Sequence, residues 1–322
     1  MFHIRTYTET EECRHIWERL WPDDCFFDLW PVRSCFNQAF NRPLHFQVFE
    51  QDNVPKGMIA LCWIKEQESY GHFPGETWKG ETWLEQNKII SSTADMSMAL
   101  IDSLPGTVHL RYLTHDSFFQ TRGAIHQDEI GYLFLPQKYG YSFDQYRGEF
   151  SGKTRKKMNA EMAKLERQTV TIRHNRLSDV DLLFKMNIQA FEKDSYFSDQ
   201  RFLTAFERLV SYMTNNDMIR VTTVLIGGKT AAVDVGALYK GTYTILAGGT
   251  SPEFKGIAKL INFHHIEWAC KQKIKMVDFL CGNFNWKERF HLTPRPLYAL
   301  KRDNTAHCRN LYEKTKEIKI CA

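Results

Sequence analysis

Residues 242–290, TYTILAGGTSPEFKGIAKLINFHHIEWACKQKIKMVDFLCGNFNWKERF, decide the fold of this chain. A β-rich run over Thr242–Ala247 leads into a turn at residues 248–252, and a helix is predicted from about Gly256 to Lys271. A short apolar strand is predicted over Lys275–Leu280. A strand that enters a helix through glycine leaves backbone N–H groups unpaired at the helix N-terminus, where the helix dipole favours an anion. The stretch therefore predicts a seat for a phosphate group.

The composition is that of an ordinary folded chain. Of the 322 residues, 43% are hydrophobic and 25% are charged, and the net charge of +4 is too small to demand a nucleic-acid partner. No apolar run approaches the roughly 18 residues that a membrane-spanning helix needs. The N-terminal residues turn acidic at once and lack the apolar core of a secretory signal. We expect a cytoplasmic location and no transmembrane segment.

The cysteines are scattered, without C-x-x-C pairs, which is typical of a reduced protein rather than of a disulfide framework or a zinc site. No set of His, Cys and Asp residues has the spacing of zinc ligands, so we expect no metal. The cysteines are Cys13, Cys25, Cys35, Cys62, Cys270, Cys281, Cys308 and Cys321.

The two halves of the chain predict the same order of elements: a strand, two helices, three strands, a helix and a strand. The first copy runs from Phe2 to Leu113 and the second from Thr169 to Leu280. The fold class is therefore mixed α/β (α+β), with two tandem halves, residues 1–145 and 146–322, each a mixed, mostly antiparallel sheet flanked by helices. The first copy has Ser91-Ser92-Thr93 where the second has its glycine-bearing turn, so we place the chemistry in the second half.

Three segments of the second half resemble a known family. They are KTRKKMNAEMAKLER (153–167), GGTSPEFKGIAKLINFHHIEWA (248–269) and VDFLCGNFNWKERF (277–290). The chain is similar there to the acetyltransferases of the GNAT superfamily, in the branch grouped with cellulose-biosynthesis-type and Fem-like proteins. That branch pairs two GNAT-like halves, opens the second with a basic helix, and carries a late D-F-x-x-G strand followed by an aromatic-Lys pair, here Trp286-Lys287.

The resemblance implies transfer of an acyl group to a small-molecule or peptide amine. The donor would be acyl-CoA, with acetyl-CoA the first choice, or an aminoacyl-tRNA as in Fem-type enzymes. By resemblance the donor phosphate lies on the turn that comprises Phe254, Lys255, Gly256, Ile257 and Ala258. The superfamily signature [Q/R]-x-x-G-x-[G/A] is met only in part, because Glu253 stands in its first position. A non-catalytic GNAT-like binding module is therefore a third hypothesis.

Four residues are candidates for catalysis. Asp234 interrupts an apolar strand, where its carboxylate would accept the amine proton or bind a cationic substrate, or would only mark a solvent-facing strand. Tyr243 is a candidate proton donor or acceptor, against the alternative of a packed ring. Asp278, in the apolar run before the glycine loop, is either catalytic or half of a buried pair with a basic residue. Lys287 would contact a donor phosphate or an acid group of the acceptor, or is an exposed lysine.

Three further residues of the same loop, Asn283, Asn285 and Trp286, are candidates for binding the acceptor, although the two asparagines would equally suit turns. The histidine pair His264-His265 lies within a predicted helix, where a satisfied core histidine is favoured over a metal ligand. The basic helix at residues 151–168 would suit a tRNA, but its Glu161 and Glu166 favour a solvated face, so tRNA is the second choice of donor.

Overall fold

The structure is a computed structural model, and it describes residues 2–114, 125–282 and 286–303. Successive side chains of each strand point to opposite faces of the sheet, and helices cover both faces. The strands are β1 (Phe2–Tyr7), β2 (Leu44–Gln51), β3 (Val54–Ile64), β4 (Ser69–His72), β5 (Thr77–Trp78), β6 (Glu81–Thr82), β7 (Val108–Leu113), β8 (Ile125–Phe134), β9 (Val170–His174), β10 (Ile219–Ile226), β11 (Lys229–Tyr239), β12 (Thr242–Thr250), β13 (Met276–Asp278) and β14 (Thr293–Arg302). The helices are α1 (Thr10–Leu20), α2 (Trp30–Phe40), α3 (Ala94–Asp102), α4 (Phe143–Gly148), α5 (Gly152–Glu166), α6 (Val180–Phe191), α7 (Gln200–Asn215), α8 (Ile257–Lys271) and α9 (Trp286–Arg289).

The chain forms two compact units. Unit 1 comprises Met1–Asp23, Phe27–Glu129 and Pro296–Ala322, and unit 2 comprises Asp24–Phe26 and Ile130–Arg295. These bounds follow the packing of the chain, whereas the division into a non-catalytic and a catalytic half at residue 145 stays a prediction.

Unit 1 has the strand order β1-β2-β3-β4-β7-β14, in which only the β4–β7 pair is parallel. Alternate residues of β3 face opposite sides of this sheet, as the two-residue period of a strand requires. Met58 and Ala60 pack with α1 and α2, whereas Ile59 and Leu61 pack with α3. Both faces are therefore covered by helices.

Unit 2 has the strand order β9-β10-β11-β12-β13-β8, in which only β12–β13 is parallel. Its helices also lie on both faces. A Cβ on Gly249 would meet Leu183 and Met186 of α6, whereas a Cβ on Gly248 would meet Asp234, which bonds to α8. The predicted order of a strand, two helices, three strands, a helix and a strand occurs in both units, and the predicted fold class is confirmed.

Four strands were not predicted from the sequence, the two-residue strands β5 and β6 and the longer strands β8 and β14. In β8, polar residues at 126–129 interrupt the alternation of apolar and polar positions. In β14, Pro294 and Pro296 argue against a strand, because proline has no N–H group to donate a hydrogen bond to a neighbouring strand. The two prolines lie before the residues at which β14 pairs with β7, Tyr298–Arg302.

Gly236 of β11 tests the packing of unit 2. A Cβ at this position would lie 2.4 Å from Tyr243 Cε2 and 2.7 Å from the carbonyl oxygen of Thr244. We expect Gly236→Ala to lower the free energy of unfolding by about 1–3 kcal/mol through overpacking, measured by urea denaturation. The control is Gly148→Ala, because that position has no atom within 4 Å of the added Cβ. Equal losses in the two variants would contradict the close approach of Tyr243 to β11.

Candidate functional site

The turn before α8 presents open backbone to solvent. Gly256 has φ +90°, which only glycine adopts easily, and a Cβ there would meet nothing within 4 Å. Lys255, Gly256 and Ala258 are exposed. Among the described residues, the N–H groups of Gly256 and Ala258 make no hydrogen bond, and α8 has no side-chain cap. The turn is thus suited to hold an anion such as a phosphate.

The other two residues of the predicted phosphate turn anchor it. Phe254 and Ile257 are buried in an apolar cluster that contains Leu165 and Ala231. Glu253, the residue that departs from the family signature, is exposed and its carboxylate lies 2.8 Å from Lys229 Nζ. Glu253 therefore places a negative charge near the turn, and Lys229 partly offsets this charge.

One edge of β12 is open beside this turn. β12 pairs with β13 only over Thr242–Thr244, opposite Met276–Asp278, but continues to Thr250. On its other side β12 pairs with β11, with a bulge at Leu246. The residues after β13 keep only the pairing on its other side, with β8, because Phe279 N–H donates to the carbonyl oxygen of Tyr132 at 2.9 Å. Within the described chain, β12 beyond Thr244 thus has a strand partner on one side.

Asp234 lies on β11 beneath α8. It is 6% exposed, and His265 of α8, which is fully buried, lies 2.9 Å from its Oδ2 through Nε2. The other carboxylate oxygen lies against β12, since a Cβ on Gly248 would be 2.4 Å from Asp234 Oδ1. The predicted acid–base candidate is therefore one member of a buried pair.

Tyr243 belongs to the same buried layer. Its ring packs on His265 and on Trp268, and its hydroxyl lies beside the Thr222 side chain of β10. Burial, together with the nearby Asp234 carboxylate, raises the pKa of Tyr243. A tyrosine in this environment holds its proton firmly.

Arg220 and Thr222 of β10 extend this layer, and neither was predicted. The Arg220 guanidinium lies 3.7 Å from the centroid of the Trp268 ring and is 8% exposed. Its Nε and Nη2 lack a hydrogen-bond partner among the described residues. Burial lowers the pKa of Arg220. The only sequence signal was a lone arginine in an apolar strand.

Asp278 and Lys287 come together around a different point, the backbone of Leu280. Asp278 accepts from the Leu280 N–H at 2.9 Å and from Arg295 Nη1 at 2.9 Å. Lys287 Nζ donates to the carbonyl oxygens of Phe279, Leu280 and Cys281 at 2.9, 2.8 and 2.6 Å. Both side chains are buried. Arg295 is thus the basic partner in the paired interpretation of Asp278, and the catalytic roles of the four candidates stay predictions.

The three candidates for acceptor binding are only partly placed. Trp286 is half-buried and its ring packs edge-on against Phe279 and Phe290. Asn283 and Asn285 lie outside the described residues.

Within the described ranges, no group of three or more His, Cys, Asp or Glu side chains is arranged to hold a metal ion. Likewise, none of the helices described is both long enough and apolar enough to cross a membrane.

Part of the chain is similar to a known protein family. The family model of the acetyltransferase (GNAT) domain matches residues 152–288. No curated protein sequence matches the chain.

The solved structures with a similar fold include the following three. FemX has a TM-score of 0.57 at 9% identity, over 97% of this chain and 99% of FemX. L-PGS from Bacillus licheniformis has a TM-score of 0.53 at 11% identity, over 96% of each chain. A tandem GNAT protein from the clavulanic acid biosynthesis pathway has a TM-score of 0.52 at 10% identity, over 94% of this chain and 98% of that one. At such identities the likeness shows the fold alone.

His264, next to the Asp234–His265 pair, predicts a pH dependence. Burial lowers its pKa to about 3, and its ring stacks on His174. The unfolded chain binds a proton there below about pH 6.5, whereas the folded chain does so only near pH 3, so stability falls as the pH drops between these values. We expect this fall, measured by urea denaturation at several pH values, to be shallower in His264→Gln. The urea midpoint of His264→Gln at pH 7.5, where the histidine is neutral in both states, is the control for lost packing. If stability falls with pH as steeply in His264→Gln as in the wild type, His264 is not the group responsible.

Proposed function

We propose that this protein is an N-acyltransferase that moves an acyl group directly from acyl-CoA to an amine, since residues 152–288 match the family model of the GNAT acetyltransferase domain. One observation carries the proposal: among the described residues, the unpaired N–H groups at Gly256 and Ala258 follow, across a turn, a strand whose edge is open from Ile245 onward. A donor with an anionic end and an amide-bearing arm suits both features.

The anionic end of the donor would bind at the start of α8. The N–H groups of Gly256 and Ala258 are available as donors, and the helix dipole adds to their attraction for phosphate. Gly256 keeps the approach clear, because no atom lies within 4 Å of where its Cβ would be. In unit 1 the corresponding helix, α3, is capped by its own Thr93, whose hydroxyl accepts from the Met96 N–H at 3.2 Å. This difference supports a catalytic half at residues 146–322 and a non-catalytic half at 1–145.

The amide-bearing arm of the donor would lie along β12. A strand edge without a neighbour offers N–H and C=O groups in a row, and an extended ligand can pair with them. The carbonyl oxygen of Gly248 is held from the α6 side by Asn187 Nδ2 at 3.0 Å, which fixes the strand at this level. Reaction requires the donor carbonyl and the amine to be held in contact, and a rigid strand supplies that positioning.

The acceptor is proposed only as a class, a small-molecule or peptide amine. Asp234, Tyr243, Asp278 and Lys287 are each less than one-tenth exposed, so we propose that they act by shaping the site around the reacting groups. Trp286 is half-buried and is our candidate for contact with the acceptor, together with Asn283 and Asn285. A screen of amines with acetyl-CoA supplied, read by mass spectrometry, would identify the acceptor.

Ala258→Asp tests the donor site. An acidic residue in the first turn of a helix is favourable for the fold, but its carboxylate would repel a phosphate at the same N–H groups. We expect the variant to keep its unfolding midpoint and to bind acetyl-CoA at least about tenfold more weakly, measured by isothermal titration calorimetry. Ala258→Asn is the matched control, because it has the same shape without the charge. Equal binding by wild type and Ala258→Asp would reject the turn as the donor site.

An aminoacyl-tRNA donor is the second candidate, and one observation favours it. The basic residues of α5 are exposed, and this helix is joined to α8 by an ion pair between Glu161 and Lys259, three residues after Gly256. A polyanion held at the turn would thus lie near a basic helix.

Binding of unacylated tRNA separates this candidate from the first. If tRNA is the donor carrier, its affinity should fall steeply with salt, and replacing Lys156 and Lys157 with alanine should weaken it and flatten the salt dependence. Acetyl-CoA binding without tRNA binding would exclude the second candidate. Binding of neither ligand would favour a non-catalytic module.

A further inference from the structure

Leu280, two residues after β13, has a backbone conformation that bulky L residues avoid. Its φ is +57°, in the left-handed region, and its side chain is buried. Such residues persist only when the surrounding structure holds them in place, and they gather at functional sites. The question is therefore what holds Leu280.

Both peptide groups of Leu280 are bound by buried charges. Its N–H donates to Asp278 Oδ1 at 2.9 Å, and Arg295 holds this carboxylate through Nη1 and Nη2. Its carbonyl oxygen accepts from Lys287 Nζ at 2.8 Å. The same ammonium group also binds the carbonyl oxygens on either side, those of Phe279 and Cys281. A buried ammonium needs such partners, so these carbonyls and Lys287 fix one another.

The turn at Leu280 carries the chain away from β12. Before the turn, Asp278 is the last residue of β13 that pairs with β12, opposite Thr244. The pairing with β8, which includes Val277 and Asp278, continues to Leu280, because the Tyr132 N–H donates to the Leu280 carbonyl oxygen at 3.3 Å. The open edge of β12 thus begins where the left-handed turn begins.

We infer that Asp278 and Lys287 are positioning residues that hold Leu280 in its left-handed conformation and so keep the edge of β12 open for the acyl donor. The donor part of this inference rests on the proposed function. The opposing view is that Lys287 supplies charge or a proton to the reaction. The two views differ in one expectation. If Lys287 is a positioning residue, the effect of replacing it on donor binding depends on which residue occupies position 280; if Lys287 supplies charge or a proton, that effect does not depend on position 280.

Glycine and alanine at position 280 provide the test. Leu280→Gly and Leu280→Ala both remove the side chain, but only glycine adopts a positive φ without strain. Lys287→Met is made in the wild-type, Leu280→Gly and Leu280→Ala backgrounds of the full chain. Acetyl-CoA affinity is measured by isothermal titration calorimetry, and the unfolding midpoint by urea denaturation.

We expect Lys287→Met to weaken acetyl-CoA binding about tenfold or more in the wild-type and Leu280→Ala backgrounds, and less than about threefold in Leu280→Gly. Lys287→Met should also lower the urea midpoint of unfolding more in the wild-type and Leu280→Ala backgrounds than in the Leu280→Gly background. Equal losses in the glycine and alanine backgrounds would overturn the inference. Lys287→Gln, which keeps two amide hydrogens, serves as the second variant where Lys287→Met does not fold, with the same order expected.

The two readouts separate this inference from the proposed function. If wild-type protein does not bind acetyl-CoA, the proposed function fails, while the unfolding midpoints still decide whether Lys287 acts through Leu280. If acetyl-CoA binds but the loss is equal in all backgrounds, the proposed function survives and the positioning role is rejected.

Discussion

One buried ammonium group binds three consecutive backbone carbonyls, and the opening in the sheet of unit 2 depends on this interaction. Lys287 lies on the short helix α9 and reaches the segment that follows β13. A desolvated cation is costly unless its hydrogens are satisfied, and here the backbone satisfies them. In return the carbonyls of Phe279, Leu280 and Cys281 point to one centre, which bends the chain at this position. Parallel pairing with β12 ends there.

A second set of buried polar groups lies between the sheet of unit 2 and α8. His265 Nε2 pairs with Asp234, and the Arg220 guanidinium lies over the face of Trp268. Within the described chain, His265 Nδ1 and the Nε and Nη2 of Arg220 lack hydrogen-bond partners. Such groups lower stability relative to an apolar core. The layer lies against Gly248, in the part of β12 that has the open edge. Proteins accept local costs of this kind mainly at functional sites.

Much of the fold could be predicted from the sequence, because the spacing of apolar residues in long elements distinguishes helices from strands. The element order of both halves and the exposed glycine turn at Gly256 followed from local pattern alone. Over residues 152–288 the resemblance to the GNAT superfamily is confirmed by the matching family model, and the chain shares the fold of FemX. β8 and β14 were missed because their strand character comes from their neighbours.

The site was less predictable, because its contacts join distant residues. Asp234 bonds to a histidine 31 positions away, and nothing near either residue announces the pairing. Lys287 looked like a surface lysine or a phosphate ligand, since only the folded chain shows the carbonyls around it. The left-handed conformation of Leu280 had no signal at all, because glycine or asparagine is the residue type that such a position usually takes.

Unit 1 is built from segments that lie far apart in the sequence, and this affects folding during synthesis. Its last strand, β14, pairs with β7 through Tyr298–Arg302, almost two hundred residues further along the chain. During synthesis at roughly 5–20 residues per second, β7 therefore emerges from the ribosome many seconds before its partner exists. The sheet of unit 1 must wait with an unpaired edge while all of unit 2 is translated, and such an edge is a target for chaperones and for aggregation.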